Sequence, residues 1–502
     1  MEWKTKLASA VTGAVLISGI GGVYAGMNIN DEVDNDASRS ASNAAEQIQQ
    51  EGENSQDGEE NSDSVKEELD KIEQVYEMID DGYVEDVDKE KLFEGALNGM
   101  VDKLGDPHSA YMDQDTASQF SQQLESSFEG IGAEVSMVDD TVTIVSPFGG
   151  SPAEEAGLQP NDQILEVDGE STEGETLNET VLKIRGEKGS TVTLTVQRQG
   201  SSEPFEVDVE RDEIPVETVN SEVKEQNGQS IGVLELTSFS ESTADEFEEH
   251  LNSLEEKSID GLVIDVRGNP GGYLESVEDI GDLIIPGEEP VVQIEDPNGE
   301  KTRSISTLDE KKDYPIVGLI DEGSVSASEI LAAALKEAGD YDLVGQTTYG
   351  KGTVQQSTDL GDGSQLKLSM YKWLTSDGNW INEEGVEPTV EVEQPEYFYS
   401  AVLSPDDPLE IEMSGEQVEI AQQMLTGLGH DPERTDGYFD EATGNAVRAY
   451  QESVEDLPVI GTIDEETANR MNQDLLELIQ NPEHDNQLNT ALELIDEKIS
   501  EQ

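Results

Sequence analysis

Along the chain the apolar positions change their spacing repeatedly, and each change marks a segment. Residues 1–30 carry Lys4 and Lys6 ahead of about 20 mostly apolar, uncharged residues, the pattern of a secretory signal or a single membrane anchor. Residues 31–64 hold almost nothing apolar and read as an acidic, disordered linker. From Val65, apolar residues recur at helical spacing (Leu69, Ile72, Val75, Tyr76, Ile79), and a second helix follows over 89–104, giving a helical region over 65–118. Two such helices enclose no core alone, so they are expected to pack on the body or on a second copy. Residues 119–212 alternate as short strands around Gly-rich turns, with one helix at "LNETVLKIRGEKG". Over 213–400, strands alternate with helices: "SIGVLELTSF", "TADEFEEHLNSLEEK", "IDGLVIDVRGNPGG" and "YPIVGLIDEGSVSASEILAAALKEAG". That alternation predicts a mixed, largely parallel sheet flanked by helices. Residues 412–475 are helical with Gly- and Asp-rich turns, and 476–502 read as a polar helical tail. The fold class expected is a multidomain α+β protein with a mixed α/β core and a small all-α C-terminal domain.

Charge changes what such a chain can bind. It has 114 acidic against 28 basic residues, a net charge of −86 over 502 residues. Nucleic acid is excluded as a partner, because phosphate contacts need clustered Lys and Arg. The acids run through the periodic segments as well as the linker. This suggests a surface suited to high external salt, where screening shrinks to about 3 Å at ~1 M ionic strength. With no cysteine there is neither a disulfide nor a thiolate nucleophile, and four scattered histidines without an HExxH motif give zinc chemistry nothing to stand on. No cofactor or metal is expected.

The chemistry concentrates where two core strands end. "PIVGLI" delivers the chain to "DEGSVSASE", with serines at 324, 326 and 328. Ser326 and Glu329 make an S-x-x-E pattern, so Ser326 reads as a helix cap. A serine at a helix N-terminus after a sharp turn is equally where a nucleophile gains most, since the adjoining N–H groups and the helix dipole stabilise an oxyanion. A nucleophilic serine needs a base, and no histidine lies in either strand–turn–helix unit. "TTYGKGTVQQ" offers Lys351, with Gln355 on the same strand face to orient the amine. A free lysine, of pKa ~10.4, is less than ~0.1% neutral at pH 7. The site must therefore be dry, because burial favours the uncharged amine, and salt should help by screening distant carboxylates. Activity at neutral pH is accordingly expected to rise with salt.

Three sets of motifs carry resemblances. "FEGIGAEV" (128–135) and "AGLQPNDQILEVDG" (156–169) resemble the carboxylate-binding loop and the centre of a PDZ domain. Gly130, Ile131 and Gly132 would form the nest that receives a peptide C-terminus. Arg185, at the end of the domain's helix, is open to contact with a carboxylate, contact with the neighbouring domain, or solvent. "GSVSASEILAAALKE", "YGKGTVQ" and "DVRGNPGGYL", with "LGDPHSAYM" upstream, together resemble the C-terminal processing peptidases, or tail-specific proteases. That resemblance implies a crotonase/ClpP-like protease core, Ser326 as nucleophile, Lys351 as general base and Gln355 as its positioner. It also implies an oxyanion hole from the N–H groups of Ala327 and Gly272. Val325 stands where the family usually has alanine. "DGYFDEAT", "AVRAYQ" and "GTIDEETA" resemble a peptidoglycan-binding domain.

Taken together, these imply a serine endopeptidase outside the cytoplasm that acts on protein substrates with accessible C-termini. It would be held at the cell wall by its C-terminal domain and at the membrane by residues 1–30 unless these are cleaved, and it would self-associate as a homodimer. A catalytically idle PDZ scaffold is disfavoured by the intact Ser326, Lys351 and Gln355. A crotonase-like enzyme acting on a small thioester is disfavoured by the PDZ domain and the Ser/Lys pair.

Overall fold

The computed structural model describes residues 58–501, apart from 125, 139–140, 199–200, 202–203, 288, 406 and 456. The leader or anchor at 1–30 and most of the 31–64 linker lie outside the described residues. Among those described, no helix is long and apolar enough to cross a membrane. The described chain divides into two compact units, one built from residues 58–121 together with 354–370, the other from 122–353 and 371–501.

In the first unit the leading helix spans Gly58–Gly82, so it begins inside the stretch read as linker. Acidic residues favour a helix N-terminus through its dipole, which a reading based on apolar periodicity overlooks. Helix Lys89–Val101 and a short 3-10 turn follow, ended by Gly105 at φ 68°. "LGDPHSAYM" then supplies strand Ala110–Met112, which pairs antiparallel with 365–367. Leu69, Val75 and Met78 on the leading helix stay exposed.

The second unit begins with an antiparallel sheet ordered Ala133–Val138, Thr141–Pro147, Gln163–Val167, Thr191–Gln197, Phe205–Glu210. Its core gathers Ile144, Ile164, Val192, Leu194 and Val196. Helix Leu177–Ile184 is fixed by a Thr176/Glu179 capping box. Strand Ala133–Val138 stands at the sheet's edge beside the Gly130–Gly132 turn, as the PDZ reading requires.

The core sheet is built on four parallel strands: β1 (Gln229–Leu236), β2 (Gly261–Asp265), β3 (Ile316–Ile320) and β4 (Asp342–Gly345). They are ordered β1-β2-β3-β4, with Val219–Gln226 antiparallel beyond β1 and the short Val390–Glu391 parallel beyond β4. Every residue of β2 and β3 is buried, which explains their near-continuous apolar sequence. Helices α1 (Thr243–Glu256), α2 (Leu274–Ile284) and α3 (Ala327–Glu337) follow β1, β2 and β3 respectively.

The other side of this sheet is covered by a helix from the far end of the chain. Leu488, Ala491, Leu492 and Ile495, on α4 (Asn486–Glu501), join Ile231, Val233, Val263, Val317, Leu319 and Val344 in one cluster. The polar tail expected over 476–502 thus contains an amphipathic core helix. Its apolar stripe is narrow among acids and amides, so mean polarity hid it. Burying each large side chain contributes roughly 1.5–3 kcal/mol. The approach is close: a Cβ on Gly261 would fall 2.3 Å from Ile495 Cγ2.

Between the core and α4 lies the three-helix domain: Glu416–Gly427, Glu441–Ser453 and Glu465–Gln480. Two buried glutamines close its turns in the same manner. Gln422 accepts from Gly437 N and donates to Thr443 Oγ1; Gln451 accepts from Gly461 N and donates to Thr467 Oγ1. Leu403 and Leu409 also belong to its core, so its packing starts earlier than residue 412. Single leucines in an Asp- and Pro-rich run give no periodic signal.

Candidate active site

The three serines at the end of β3 are used differently. Ser324 Oγ donates to Val266 O at 2.8 Å, and Ser328 Oγ to Asn269 O at 2.9 Å, so both brace the turn that leaves β2. Ser326 is the helix N-cap residue, only 7% exposed, with φ 57° and ψ −109°. A non-glycine residue in this region stores about 1–3 kcal/mol of backbone strain. The surroundings fix it: Val325 N donates to Asn269 O at 3.0 Å, and Gly268 N and Gly323 N both donate to Asp321 Oδ1.

The glycines of "NPGG" fill the space beside this elbow. A Cβ on Gly271 would fall 3.0 Å from Ser326 Cβ and 3.1 Å from Ala327 N. The Gly271 N–H is already used, donating to Asn269 Oδ1 at 2.8 Å. Gly272 has φ 151°, and its Cβ would sit 1.9 Å from Phe239 O. Glycine is therefore required there by the fold itself, before any substrate approaches.

Lys351 is fully buried. Its backbone is held on both sides: its N–H donates to Glu329 Oε2 at 2.8 Å, and its carbonyl accepts from Trp373 Nε1 at 2.7 Å. The Gly352 carbonyl accepts from Trp380 Nε1, also at 2.7 Å. Glu329, 0% exposed, takes four donors in all. Oε1 accepts from Thr348 Oγ1 and Gly350 N, each at 2.6 Å, and Oε2 accepts from Ser326 N at 2.9 Å as well as from Lys351 N. One carboxylate thus binds the N–H groups of both residues singled out as nucleophile and base. The sequence marked Glu329 only as half of a capping box. Its second half-shell of donors comes from residues 19 to 22 positions later, which no local pattern shows.

Gln355 belongs to the other compact unit, where it is 1% exposed and its Nε2 donates to Ser369 Oγ at 3.0 Å. Ser369 N in turn donates to Ser109 Oγ, and Ser109 Oγ to Asp106 Oδ2 at 2.6 Å, so "DPHS" helps set that strand. In the PDZ-like turn, Ile131 O accepts from Ala153 N and Gly132 O from Phe148 N. The planar peptide then points the N–H groups of Gly132 and Ala133 the opposite way. Arg185 lies over the Phe128 ring at 4.8 Å. Among the described residues no cluster of His, Asp or Glu could hold a metal ion.

Comparison with known proteins agrees with this layout. Peptidase family S41 matches residues 230–392, the activating protease CtpB N-terminal domain 16–116, a PDZ domain 130–209, and a putative peptidoglycan binding domain 414–471. The carboxy-terminal processing protease CtpB of Bacillus subtilis (strain 168) is 52% identical over 417 residues, spanning 83% of this chain and 87% of the relative. The chain belongs to peptidase family S41. The carboxy-terminal processing protease CtpA of the same organism is 40% identical over 84% of this chain and 89% of its own. A solved photosystem II D1 C-terminal processing protease covers 64% of this chain and 92% of its own at 25% identity, with a TM-score of 0.38. This S41 protease is a serine endopeptidase of the Ser/Lys, tail-specific kind, acting on protein C-terminal tails. It is extracytoplasmic and associated with the cell wall.

Proposed function

We propose that Ser326 is the nucleophile of the S41 protease, Lys351 its general base, and Gln355 the residue that orients the lysine amine. The observation that carries the assignment is the Glu329 carboxylate, which binds the N–H groups of Ser326 and Lys351 together. The N–H groups of Gly272 and Ala327 form the oxyanion hole; Gly271 is passed over because its N–H is committed to Asn269. Ser326 Oγ attacks the scissile carbonyl carbon as its proton moves to the neutral Lys351 amine. The oxygen that becomes anionic meets the two N–H groups. The lysine ammonium then gives its proton to the departing amine, the C–N bond breaks, and an acyl-Ser326 ester remains. Water, deprotonated by the same amine, hydrolyses the ester and regenerates the hydroxyl.

Gly130, Ile131 and Gly132 receive the substrate's terminal carboxylate, and the free edge Ala133–Val138 accepts the tail as an added strand. A pair of polypeptides differing only in a free or amidated C-terminus tests both halves at once. The free-acid form should be cleaved at least about tenfold faster, and Ser326→Ala should cleave neither. Equal cleavage of the two would remove the tail-recognition role, and cleavage by Ser326→Ala would remove the nucleophile.

The core belongs, in this reading, with the crotonase/ClpP-like folds; four parallel strands alternating with helices support that. Residues 1–30 anchor the chain in the membrane or are cleaved as a signal. The exposed apolar stripe of Leu69, Ile72 and Val75, spaced three residues apart on one helix face, supports a homodimer through the leading helices. The acidic surface is an adaptation to salt. Glu278 is pushed up to about 7, chiefly by burial, with Asp279, Glu275 and Asp282 adding a smaller repulsion of the kind that salt screens. Activity at neutral pH is expected to rise between dilute buffer and ~1 M salt as this repulsion is screened. A flat or falling profile with folding intact, followed by circular dichroism, would remove the adaptation.

A further inference from the structure

The chain leaves the protease core after Val390–Glu391, builds the three-helix domain, and returns to the core through α4. The two ends of this excursion are clasped. Gln394 Nε2 donates to Asp485 Oδ1 at 2.6 Å, Asn486 N donates to Gln394 Oε1 at 3.1 Å, and Gln487 Nε2 donates to Val392 O at 2.9 Å. The same Asp485 carboxylate reaches the turn of the oxyanion hole. It accepts from Arg267 Nη1 at 3.0 Å and Nη2 at 2.9 Å, while Gln487 Oε1 takes a further bond from Nη1 at 3.0 Å. On its other side Arg267 is gripped by Asp265, the last residue of β2, at 2.6–3.1 Å. Both ends of the pair are largely out of solvent, with 18% of the Arg267 and 14% of the Asp485 side chain exposed. Arg267 stands two residues before Asn269, whose carbonyl binds Val325 N and Ser328 Oγ and whose amide oxygen holds Gly271 N.

We infer that Arg267 and Asp485 are positioning residues for peptide hydrolysis: through them the returning helix α4 sets the turn that presents Gly272 N–H to the oxyanion. The turn is fastened to the Ser326 elbow along its Asn269 side and to α4 along its Arg267 side, so its height depends on both. This makes the last helix part of the protease, and the wall-binding domain an insertion whose two ends meet at a catalytically relevant ion pair. The inference rests on Gly272 as an oxyanion donor.

The test uses the full chain and a peptide substrate with a free C-terminus. Asp485→Asn is close in shape, keeps an oxygen for Gln394 and Leu488, and removes the charge that Arg267 needs. It should lower kcat per folded molecule by about ten- to a hundredfold with KM nearly unchanged, as expected when an oxyanion donor is displaced rather than substrate binding lost. Arg267→Lys should do the same, because one ammonium cannot bridge two carboxylates as a guanidinium does. Asp485→Glu should recover part of the loss. A merely structural clasp would lower the melting temperature and the folded fraction while leaving kcat per folded molecule at the parent value; that result overturns the inference. If Asp485→Asn does not fold, Gln487→Leu removes one Nη1 contact and the bond to Val392 O but keeps the Arg267–Asp485 pair, and it should show the same kcat loss per folded molecule on a smaller scale, with unchanged kcat again overturning the inference. Ser326→Ala is run alongside. An inactive Ser326→Ala with full turnover in Asp485→Asn sinks only this inference, whereas an active Ser326→Ala sinks the catalytic assignment beneath it.

Discussion

Lys351→Arg is expected to be as inactive as Lys351→Ala, with kcat/KM down by about 10⁴-fold or more in each. The arginine variant supplies a permanent positive charge at about the same length and packing volume, but its guanidinium does not release a proton in a protein. A role for Lys351 as an electrostatic stabiliser would be partly rescued by arginine; a role as proton acceptor would not. The position favours the second. Lys351 is fully buried, and lysine is least costly to bury as the neutral amine. In the proposed mechanism Ser326 and Lys351 act as one unit, so the double variant Ser326→Ala/Lys351→Ala should be no slower than either single one. Steady-state kinetics on a free-tailed peptide check all four variants against the parent. Activity in Lys351→Arg above a tenth of the parent's would rule out the proton-acceptor role.

Much of this was legible along the chain, for identifiable reasons. The strand–helix alternation of the core survives in the sequence because β2 and β3 are buried on both faces and α1 to α3 each cover one. Ser326 stands out as a candidate because it follows a buried strand into a Gly-containing turn, and Lys351 because it lies between two glycines at the mouth of a strand. Three features could not. The strain at Ser326 is imposed from outside, by Asn269 and Asp321, and has no composition of its own. Helix α4 carries only a narrow apolar stripe within an acidic, amide-rich segment, and what identifies it as a core element is Gly261, more than 200 residues earlier. The Glu329 carboxylate joins two turns that the sequence presents separately. In each case the decisive partner is distant in sequence, and periodicity reports only near neighbours. Acidic bias adds a further blind spot, since residues 58–64, the acidic start of helix Gly58–Gly82, look like linker on hydropathy alone.

The Glu329 site carries the other large effect. Four donors converge on its two oxygens, two on each, and all four are buried against it. A glutamine occupies the same volume but turns an NH₂ toward one of those pairs, setting donor against donor. Either the Ser326 and Lys351 N–H groups or the Thr348 hydroxyl and Gly350 N–H lose their acceptor. An unsatisfied buried donor costs about 1–3 kcal/mol, so Glu329→Gln should destabilise the fold by roughly 2–5 kcal/mol. Glu329→Ala abandons all four and should be worse. The hydroxyl of Thr348 can rotate and accept, which N–H groups cannot, so the amide is expected to turn its NH₂ to the Thr348 side and leave the Ser326–Lys351 side bound. Glu329→Gln should therefore retain measurable activity, reduced about 10²-fold through the displaced Gly350 turn. Glu329→Asp, one methylene short, cannot span both turns at once and should be the less active of the two despite keeping its charge. Thermal unfolding and kcat/KM on the same preparations decide the matter. If Glu329→Asp matched the parent while Glu329→Gln failed, negative charge rather than reach would be what the site requires, and the carboxylate's role as a bridge between nucleophile and base would be lost.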